Sequence, residues 1–402
     1  MKFALLGADP DALELVRMLV GRGEHELVWV CEAEAFGGQL RGLAPHAARD
    51  DHWESLLHGG IAEVVVVARG DDEPLRADQL RKLAQAAMPL VMIHPACESI
   101  ICYELEMIRH DTGCVMVAYF PGGFHSAIPR LADMATGGPD AVVGAVEQLV
   151  FERQMPERSR PLVEAQFARD VALMRMILGD LNKVGAMGPA GDEAVYSNLS
   201  VHMDGPAGIL ARWSVGPAEG GAGGRILLLG SHSKATLTMP GGGDWRLEID
   251  GREAAEETFA RENPTKTLIE ALSAPPEGCP APLDWNDACR AVETADALHR
   301  SLRRGRTIDL YDIDLSEEET FKGVMAIGGC GLLVVALVLL LAGAFIGGIA
   351  QGGDDANHIL RLWPIFLVSP LVIFLALQLL KLVYWKKTRK STPASDEDDR
   401  ET

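Results

Sequence analysis

The sequence predicts an α/β domain built on a doubly wound parallel sheet, then an α+β domain with an open antiparallel sheet, then two C-terminal transmembrane helices. Three observations indicate this order. Short apolar runs alternate with amphipathic helical stretches over the first 128 residues, longer strands with alternating side chains follow, and two long uncharged stretches lie near the C-terminus. Alternation of strand and helix is typical of parallel βαβ units.

The first predicted domain covers residues 1–128. Its strands are five apolar runs: KFALLG, ELVWVCE, AEVVVVA, LVMIHP and CVMVAYF. Val64–Val67 is continuously β-branched, which is typical of a strand covered on both faces. Residues 11–21 and 76–87 carry apolar side chains at helical spacing. These runs predict a parallel sheet with helices on both sides.

The second predicted domain covers residues 129–312. Its strand-forming runs are AVVGAVEQLVFER, AVYSNLSVHMDGPAGILARWSVG, RILLLGSHSKATLTM and WRLEIDG. Turns at Asp204-Gly205 and Gly241–Gly243 divide them into hairpins, which predicts an antiparallel sheet. Two helices, 162–178 and 285–302, are expected to pack against it.

The C-terminal region predicts a membrane hairpin. Residues 323–350 contain no charge over 28 positions, which exceeds the ~20 residues that span a bilayer core. After a short polar loop at 351–361, residues 362–385 form the second predicted span. An acidic stalk at 313–322 precedes the hairpin, and a charged tail at 386–402 follows it.

Basic residues flank both ends of the hairpin. The positive-inside rule therefore directs the two soluble domains and the tail to the cytoplasmic side of an inner membrane. The lipid bilayer is thus an expected partner. The net charge of −20 and the lack of a basic patch exclude nucleic acid. Seven cysteines without a CxxC pair indicate neither a metal site nor a disulfide framework.

The phrases PLDWNDACRAVETADALHRSLRRGRTIDL (282–310) and LMRMILGD (173–180) carry a family resemblance. With the predicted domain order, residues 1–312 resemble the Gfo/Idh/MocA oxidoreductases. The resemblance implies a Rossmann-like domain that binds NAD(P), and sugar or polyol chemistry in the interdomain cleft. It also implies pairing of two copies through the open face of the antiparallel sheet.

The family's glycine-rich phosphate turn corresponds to residues 7–12, which are Gly7, Ala8, Asp9, Pro10, Asp11 and Ala12. Asp9 replaces the middle glycine, through which the backbone normally approaches the pyrophosphate. A carboxylate there opposes the attraction of the helix N-terminus for an anion. Asp9 and Asp11 also suit a helix cap and first turn around Pro10. The two interpretations are compatible.

Two further cofactor positions follow from the resemblance. Glu32 lies 25 residues after Gly7 at the end of the second strand, where an acid that binds the ribose would favour NAD over NADP. Glu32 is equally compatible with an ordinary surface role. The family sequence Glu-Lys-Pro is here Ile93, His94 and Pro95, so the lysine is absent. His94 could exchange a proton or hydrogen-bond the backbone.

The family's Asp/His pair corresponds to Ala165 and Arg169, so both acid/base groups are absent. Arg169 could line the cleft or form a solvated ion pair with Asp170, and the second is the expectation. His125 is the other nearby histidine. The candidate catalytic residues are therefore His94 and Arg169, and the candidate cofactor-binding residues are the 7–12 turn, Glu32 and Pro95.

These assignments support two hypotheses. In the first, the chain is a membrane-anchored NAD-dependent oxidoreductase that acts on a sugar-like or polyol substrate, with His94 replacing the lysine. In the second, the chain keeps the fold as an inactive binding or scaffold protein at the membrane. The second accounts for the loss of a positioned base, because a fold and its site are separable.

Overall fold

The computed structural model describes residues 1–310 except 22, 71, 138–141, 190–194, 219–220, 251–254 and 274–283. The predicted stalk, both predicted transmembrane helices, their loop and the tail lie outside the described residues. Within the described ranges, no helix combines the length and apolar composition that a bilayer crossing requires.

The first sheet has six parallel strands in the order β3-β2-β1-β4-β5-β6. It contains the five predicted strands and one two-residue strand at its edge. The strands are β1 (Lys2–Leu6), β2 (Glu26–Cys31), β3 (Ala48–Arg49), β4 (Val64–Val67), β5 (Leu90–Ile93) and β6 (Met116–Tyr119). All four side chains of β4 are fully buried, which confirms that helices cover both faces of the sheet.

Four helices cover the parallel sheet. They are α1 (Pro10–Val20), α2 (Gly37–Leu43), α3 (Glu73–Gln85) and α4 (Ser99–Thr112). The predicted helices at 11–21 and 76–87 thus correspond to α1 and α3, whose first turns begin earlier because an aspartate and a proline start each one. Apolar side chains from the two faces of the sheet form two separate core clusters.

The second sheet has nine strands in the order β14-β13-β12-β11-β7-β10-β9-β8-β15. The strands are β7 (Val146–Met155), β8 (Lys183–Met187), β9 (Leu199–Asp204), β10 (Leu210–Pro217), β11 (Gly223–Gly230), β12 (Lys234–Pro240), β13 (Trp245–Asp250), β14 (Ala255–Phe259) and β15 (Ile308–Asp309). The hairpin turns predicted at 204–205 and 241–243 lie between paired antiparallel strands.

The second sheet is mixed, whereas the sequence predicted an antiparallel one. Strand β10 pairs in parallel with β7. The reason is the helical crossover: α6 (Arg160–Leu178) returns the chain to the end of the sheet where β7 began. Strand β8 therefore runs in the same direction as β7. Strand β9 is antiparallel to both β8 and β10, so β10 also runs in the direction of β7.

Three more helices pack against the two sheets. Helix α5 (Ala127–Thr136) contains the predicted boundary at residue 128 and packs in the core of the second sheet. Helix α7 (Thr265–Ser273) buries Leu268 in the core of the first domain. Helix α8 (Trp285–Arg304) packs on both, with Trp285 against the first domain and Leu298 against the second. The late helices therefore fix the two domains to each other.

Candidate functional site

The turn after β1 has the backbone expected of a phosphate-binding turn. Gly7 has a φ of +96°, which favours glycine, and its amide donates to the Cys31 carbonyl at 2.9 Å. Helix α1 begins at Pro10, Ala8 is half-buried, and Ala12 is fully buried against the sheet. Asp9 caps the helix: its Oδ1 accepts from the Asp11 amide at 2.7 Å. The capping interpretation of Asp9 is therefore confirmed.

Arg169 of α6 binds this turn across the domain boundary. Its Nη2 lies 3.0 Å from Oδ2 of Asp11 and 4.0 Å from Oδ2 of Asp9. Its Nε donates to the His94 carbonyl at 2.8 Å. A single guanidinium thus links the first turn of α1 to the end of β5. The structure brings together four of the residues that the sequence assigned to the site: Asp9, Asp11, His94 and Arg169.

The charge at the start of α1 is negative. Burial raises the pKa of Asp11, and the attraction of Arg169 opposes that rise without cancelling it. One turn further along the helix, Glu14 pairs with Arg261 from the segment after β14. Two arginines of the second domain therefore meet three carboxylates of α1, which we call the α1 ion-pair cluster: Asp9, Asp11, Glu14, Arg169 and Arg261.

Glu32 lies at the end of β2 as predicted, with an unusual φ of +54°. Its carboxylate is already bound within the protein. Arg76 Nη2 donates to Oε2 at 2.8 Å, and Gln79 Nε2 donates to Oε1 at 2.6 Å. The guanidinium of Arg76 also lies against Gly7, where a Cβ would come within 2.8 Å of Nη2. Arg76 therefore covers the side of the turn that faces Glu32.

His94 is buried at the end of β5 and joins Pro95 through a cis peptide bond. Its Nε2 donates to the Ala168 carbonyl at 3.3 Å, so Nε2 carries the proton. Burial, assisted by the neighbouring Arg169 charge, lowers the pKa of His94 to about 4. His94 is therefore a neutral imidazole that hydrogen-bonds the backbone, the second of its two predicted interpretations.

The predicted ion pair between Arg169 and Asp170 is wrong. The two side chains leave α6 in different directions, because adjacent helical residues diverge by about 100°. Asp170 is completely buried and accepts from Arg153 Nε at 2.9 Å and Trp213 Nε1 at 2.8 Å. Gln166 donates to the same carboxylate. Asp170 thus holds α6 to the second sheet, while Arg169 points to the first domain.

His125 lies away from this arrangement of donors. Its ring stacks on Trp245 with centroids 3.8 Å apart, and neither ring nitrogen has a hydrogen-bond partner among the described residues. Burial lowers its pKa. The ring of His125 therefore packs on Trp245 at the start of β13.

Among the described residues, His94 is a weak base for an alcohol proton, because burial lowers its pKa to about 4. An arginine cannot accept a proton, and burial raises the pKa of Tyr119 at the end of β6. Sequence reasoning missed Arg76 and Arg261. The burial of Arg76 could have been recognised from the sequence, because Arg76 lies on the same helical face of α3 as Leu80 and Leu83. No local pattern marked Arg261.

Solved structures with the same fold are Gfo/Idh/MocA-type oxidoreductases. An oxidoreductase from Agrobacterium radiobacter in complex with NAD+, L-tartaric acid and magnesium is 14% identical, with a TM-score of 0.63 over 77% of this chain and 98% of that one. KijD10, a 3-ketoreductase from Actinomadura kijaniata in complex with NADP and TDP-benzene, is 14% identical, with a TM-score of 0.63 over 75% and 97%.

A third neighbour is the UDP-N-acetylglucosamine 3-dehydrogenase GnnA from Acidithiobacillus ferrooxidans. It is 16% identical, with a TM-score of 0.61 over 75% of this chain and 99% of that one. No protein-family model and no curated protein sequence matches the chain. At these identities the comparison shows that the chain shares the fold of these oxidoreductases.

The described residues do not fit a dinucleotide in this arrangement. A pyrophosphate at the start of α1 would meet the Asp9 and Asp11 carboxylates, and the Asp11 amide already donates to Asp9. The Glu32 carboxylate, which would bind a ribose, is bound by Arg76 and Gln79. The backbone of the turn is retained, whereas the side chains around it are engaged with one another.

Proposed function

We propose that this chain is a membrane-tethered binding or scaffold protein that keeps the sugar-oxidoreductase fold without hydride transfer. The observation that carries the proposal is the ion pair of Arg169 with Asp11, beside the capping Asp9. It fills the helix N-terminus at which this fold binds a pyrophosphate. The apolar cores of the two domains preserve the fold. The side chains around the Gly7 turn are paired with one another and are therefore not available to a cofactor.

The sizes of the electrostatic interactions favour a turn that does not bind a pyrophosphate. Two unit charges 4 Å apart interact by about 4 kcal/mol at an effective dielectric constant of 20. A helix N-terminus contributes about 0.3–1 kcal/mol toward an anion. The repulsion between a pyrophosphate and the Asp9 and Asp11 carboxylates therefore exceeds the attraction of the helix, unless Arg169 leaves Asp11 and binds the phosphate.

The second candidate function is an NAD(P)-dependent oxidoreductase of a sugar-like or polyol substrate. The fold favours it, because the neighbours from Agrobacterium and Actinomadura were solved with NAD+ and NADP. The backbone of the Gly7 turn also supports it. Catalysis through His94 would require Nδ1 to accept a proton although burial lowers the pKa of the ring to about 4, and would require Arg169 to release the turn.

The membrane part of the proposal rests on the sequence. Two uncharged stretches, 323–350 and 362–380, have the length of bilayer spans, and basic residues flank the pair on both sides. We propose that they anchor the soluble domains to the cytoplasmic face of a membrane. Pairing of two copies through the second sheet would bring salt bridges such as Arg225–Glu152 into a polar interface.

Cofactor binding to the full chain in detergent micelles tests the proposal. Calorimetry and thermal unfolding would be measured with NAD+, NADH, NADP+ and NADPH. We expect no change in melting temperature at millimolar cofactor. Micromolar binding, which corresponds to about 8 kcal/mol, would contradict the proposal and favour the oxidoreductase.

A further inference from the structure

Four exposed arginines lie together where α8 ends. We call them the α8 arginine cluster: Arg300, Arg303, Arg304 and Arg306. No acidic residue occurs among residues 300–306, in a chain whose net charge is −20. Arg300, Arg303 and Arg304 are spaced by three and four positions, so they share one side of the helix. The cluster therefore concentrates positive charge on one surface of an acidic protein.

The fold fixes the backbone that carries the cluster. Gly305 ends α8 with a φ of +59°, and its amide donates to the Ser301 carbonyl at 2.8 Å. The Ser301 hydroxyl donates to the Arg306 carbonyl at 2.8 Å and accepts from the Ala186 amide of β8 at 2.9 Å. The four side chains therefore project from an ordered surface at the end of α8.

Among the residues that the structure describes, no carboxylate pairs with the cluster. Asp296 lies one helical turn before Arg300, but its Oδ2 accepts from the Ser99 amide at 3.1 Å. The dipole of α8 favours cations in its last turn, whereas Arg306 lies beyond that turn. The positive charge of the cluster is therefore not compensated within the described part of the chain.

The cluster lies close in the sequence to the stretch that we propose to span a bilayer. The last described residue, Leu310, is held beside the start of β8, because its amide donates to the Asn182 carbonyl at 2.8 Å. Residues 311–322 separate it from the uncharged stretch at 323–350. An extended chain of that length reaches at most about 45 Å. A membrane anchor at 323–350 would thus keep the cluster within reach of lipid headgroups.

We propose that the α8 arginine cluster binds anionic phospholipid headgroups, such as phosphatidylglycerol, on the membrane to which the chain is tethered. The inference rests on the anchor in the proposed function. A guanidinium binds a phosphate group through two parallel hydrogen bonds. Groups of about four to eight basic residues beside a membrane span are attracted by the negative surface potential of the cytoplasmic leaflet. The contact would fix how the folded domains face the membrane, which a tether alone leaves free.

The acidic stalk at 313–322 is another anionic group near the cluster in the sequence, and it contains Glu317–Glu319. Binding of the stalk to the cluster would cost the conformational freedom of that segment, whereas lipid headgroups are already concentrated at the membrane surface. A bilayer also presents many phosphates side by side, so it neutralises all four arginines at once. These two differences favour lipid as the partner, and a variant of the stalk separates the two.

Modification of arginines by phenylglyoxal, located residue by residue with mass spectrometry, tests the inference. The full chain would be reconstituted in nanodiscs of phosphatidylcholine alone and in nanodiscs with about 30% phosphatidylglycerol, which carry the anionic surface. The reaction rates of Arg300 and Arg306 would be compared between the two. Arg41 is the internal control, because it is also an exposed arginine in the last turn of a helix.

Three variants accompany the measurement. Arg303→Gln with Arg304→Gln halves the charge of the cluster and leaves two arginines to report on it. Arg225→Gln with Arg246→Gln is the matched control, since these two arginines are exposed on the second sheet. The third variant changes Glu317–Glu319 to glutamine.

We expect Arg300 and Arg306 to react at least threefold more slowly in nanodiscs with phosphatidylglycerol than in phosphatidylcholine alone, with Arg41 unchanged. The difference should disappear at about 0.5 M salt, because salt screens the attraction between exposed charges. It should also decrease in the Arg303→Gln/Arg304→Gln variant and persist in the Arg225→Gln/Arg246→Gln control.

Three results would overturn the inference. Equal rates in both nanodiscs, in a chain that stays incorporated, would show that the cluster is free while the anchor holds. Slow reaction in both nanodiscs that the Glu317–Glu319 variant relieves would identify the stalk as the occupant. Equal protection by millimolar inorganic phosphate would indicate a site for free anions. A chain that leaves the nanodiscs would contradict the anchor instead, and vesicles of the same two compositions would then test the cluster.

Discussion

Nη2 of Arg169 lies 3.0 Å from Oδ2 of Asp11, and this ion pair joins α6 of the second domain to the first turn of α1. The same guanidinium donates to the carbonyl of His94. Three segments that would surround a bound dinucleotide are thereby held together by one side chain.

Removing the carboxylates of the turn is expected to create or strengthen cofactor binding. The double variant Asp9→Gly and Asp11→Asn removes the negative charge, restores the glycine and frees Arg169 for a phosphate. We expect at least a tenfold gain in NAD+ affinity, which is about 1.4 kcal/mol, measured by calorimetry. Glu14→Gln, which leaves the turn intact, is the control. An unchanged affinity in the double variant would show that the turn is not the obstacle.

The ion pair itself is expected to contribute little to stability. Both side chains are partly exposed, at 27% and 21%, and burial of Asp11 offsets the attraction. A double-mutant cycle of Arg169→Gln and Asp11→Asn should give a coupling energy of about 1 kcal/mol or less in urea unfolding. A coupling energy several times larger would mean that the contact mainly stabilises the fold.

The buried carboxylate of Asp170 is expected to matter much more. Asp170→Asn removes the charge that Arg153 and Trp213 bind inside the second domain. Breaking a buried pair costs about 3–5 kcal/mol, and we expect a loss near the lower end because Arg153 is 15% exposed. The control is Asp180→Asn, whose side chain is 61% exposed and pairs with Arg175. Equal losses in the two variants would contradict the assignment.

Stability is expected to fall as the pH decreases from about 6.5 to 4 through His94. Burial lowers the pKa of His94 from 6.5 to about 4, so in this window the unfolded chain binds a proton that the folded chain does not. The loss is on the order of 3 kcal/mol across the window. His94→Asn should flatten this part of the curve of unfolding free energy against pH. An identical slope in the variant would contradict the buried, neutral state.

Removal of residues 323–402 is expected to release the protein from membranes. The intact chain should stay in the membrane fraction after alkaline extraction, and the truncated chain should appear in the supernatant. In intact cells, an external protease should reach only the loop at 351–361. Cleavage within residues 1–310 would contradict the proposed orientation.

Much of the fold was predictable because it depends on local periodicity. The β-branched run of β4 and the helical spacing in α1 and α3 are readable from neighbouring residues. The parallel pairing of β7 with β10 was not predicted, since strands of the same composition pair in either direction. That direction depends on where α6 returns the chain.

The sequence alone determined which site residues are present: an aspartate within the glycine turn, a histidine in place of lysine, and an arginine at the position of the second-domain histidine. The cap formed by Asp9 was also readable, because it involves residues two apart.

Only the tertiary structure decided which partners these residues have. His94 donates to a carbonyl 74 residues away, and Glu32 is bound by an arginine 44 residues away. Arg169 binds Asp11 instead of its neighbour Asp170. A side chain's ionisable group is set by its identity, whereas its pKa and its availability to a ligand depend on burial and on groups that the fold brings near. Those groups lie far apart in the chain, so no local pattern could reveal them.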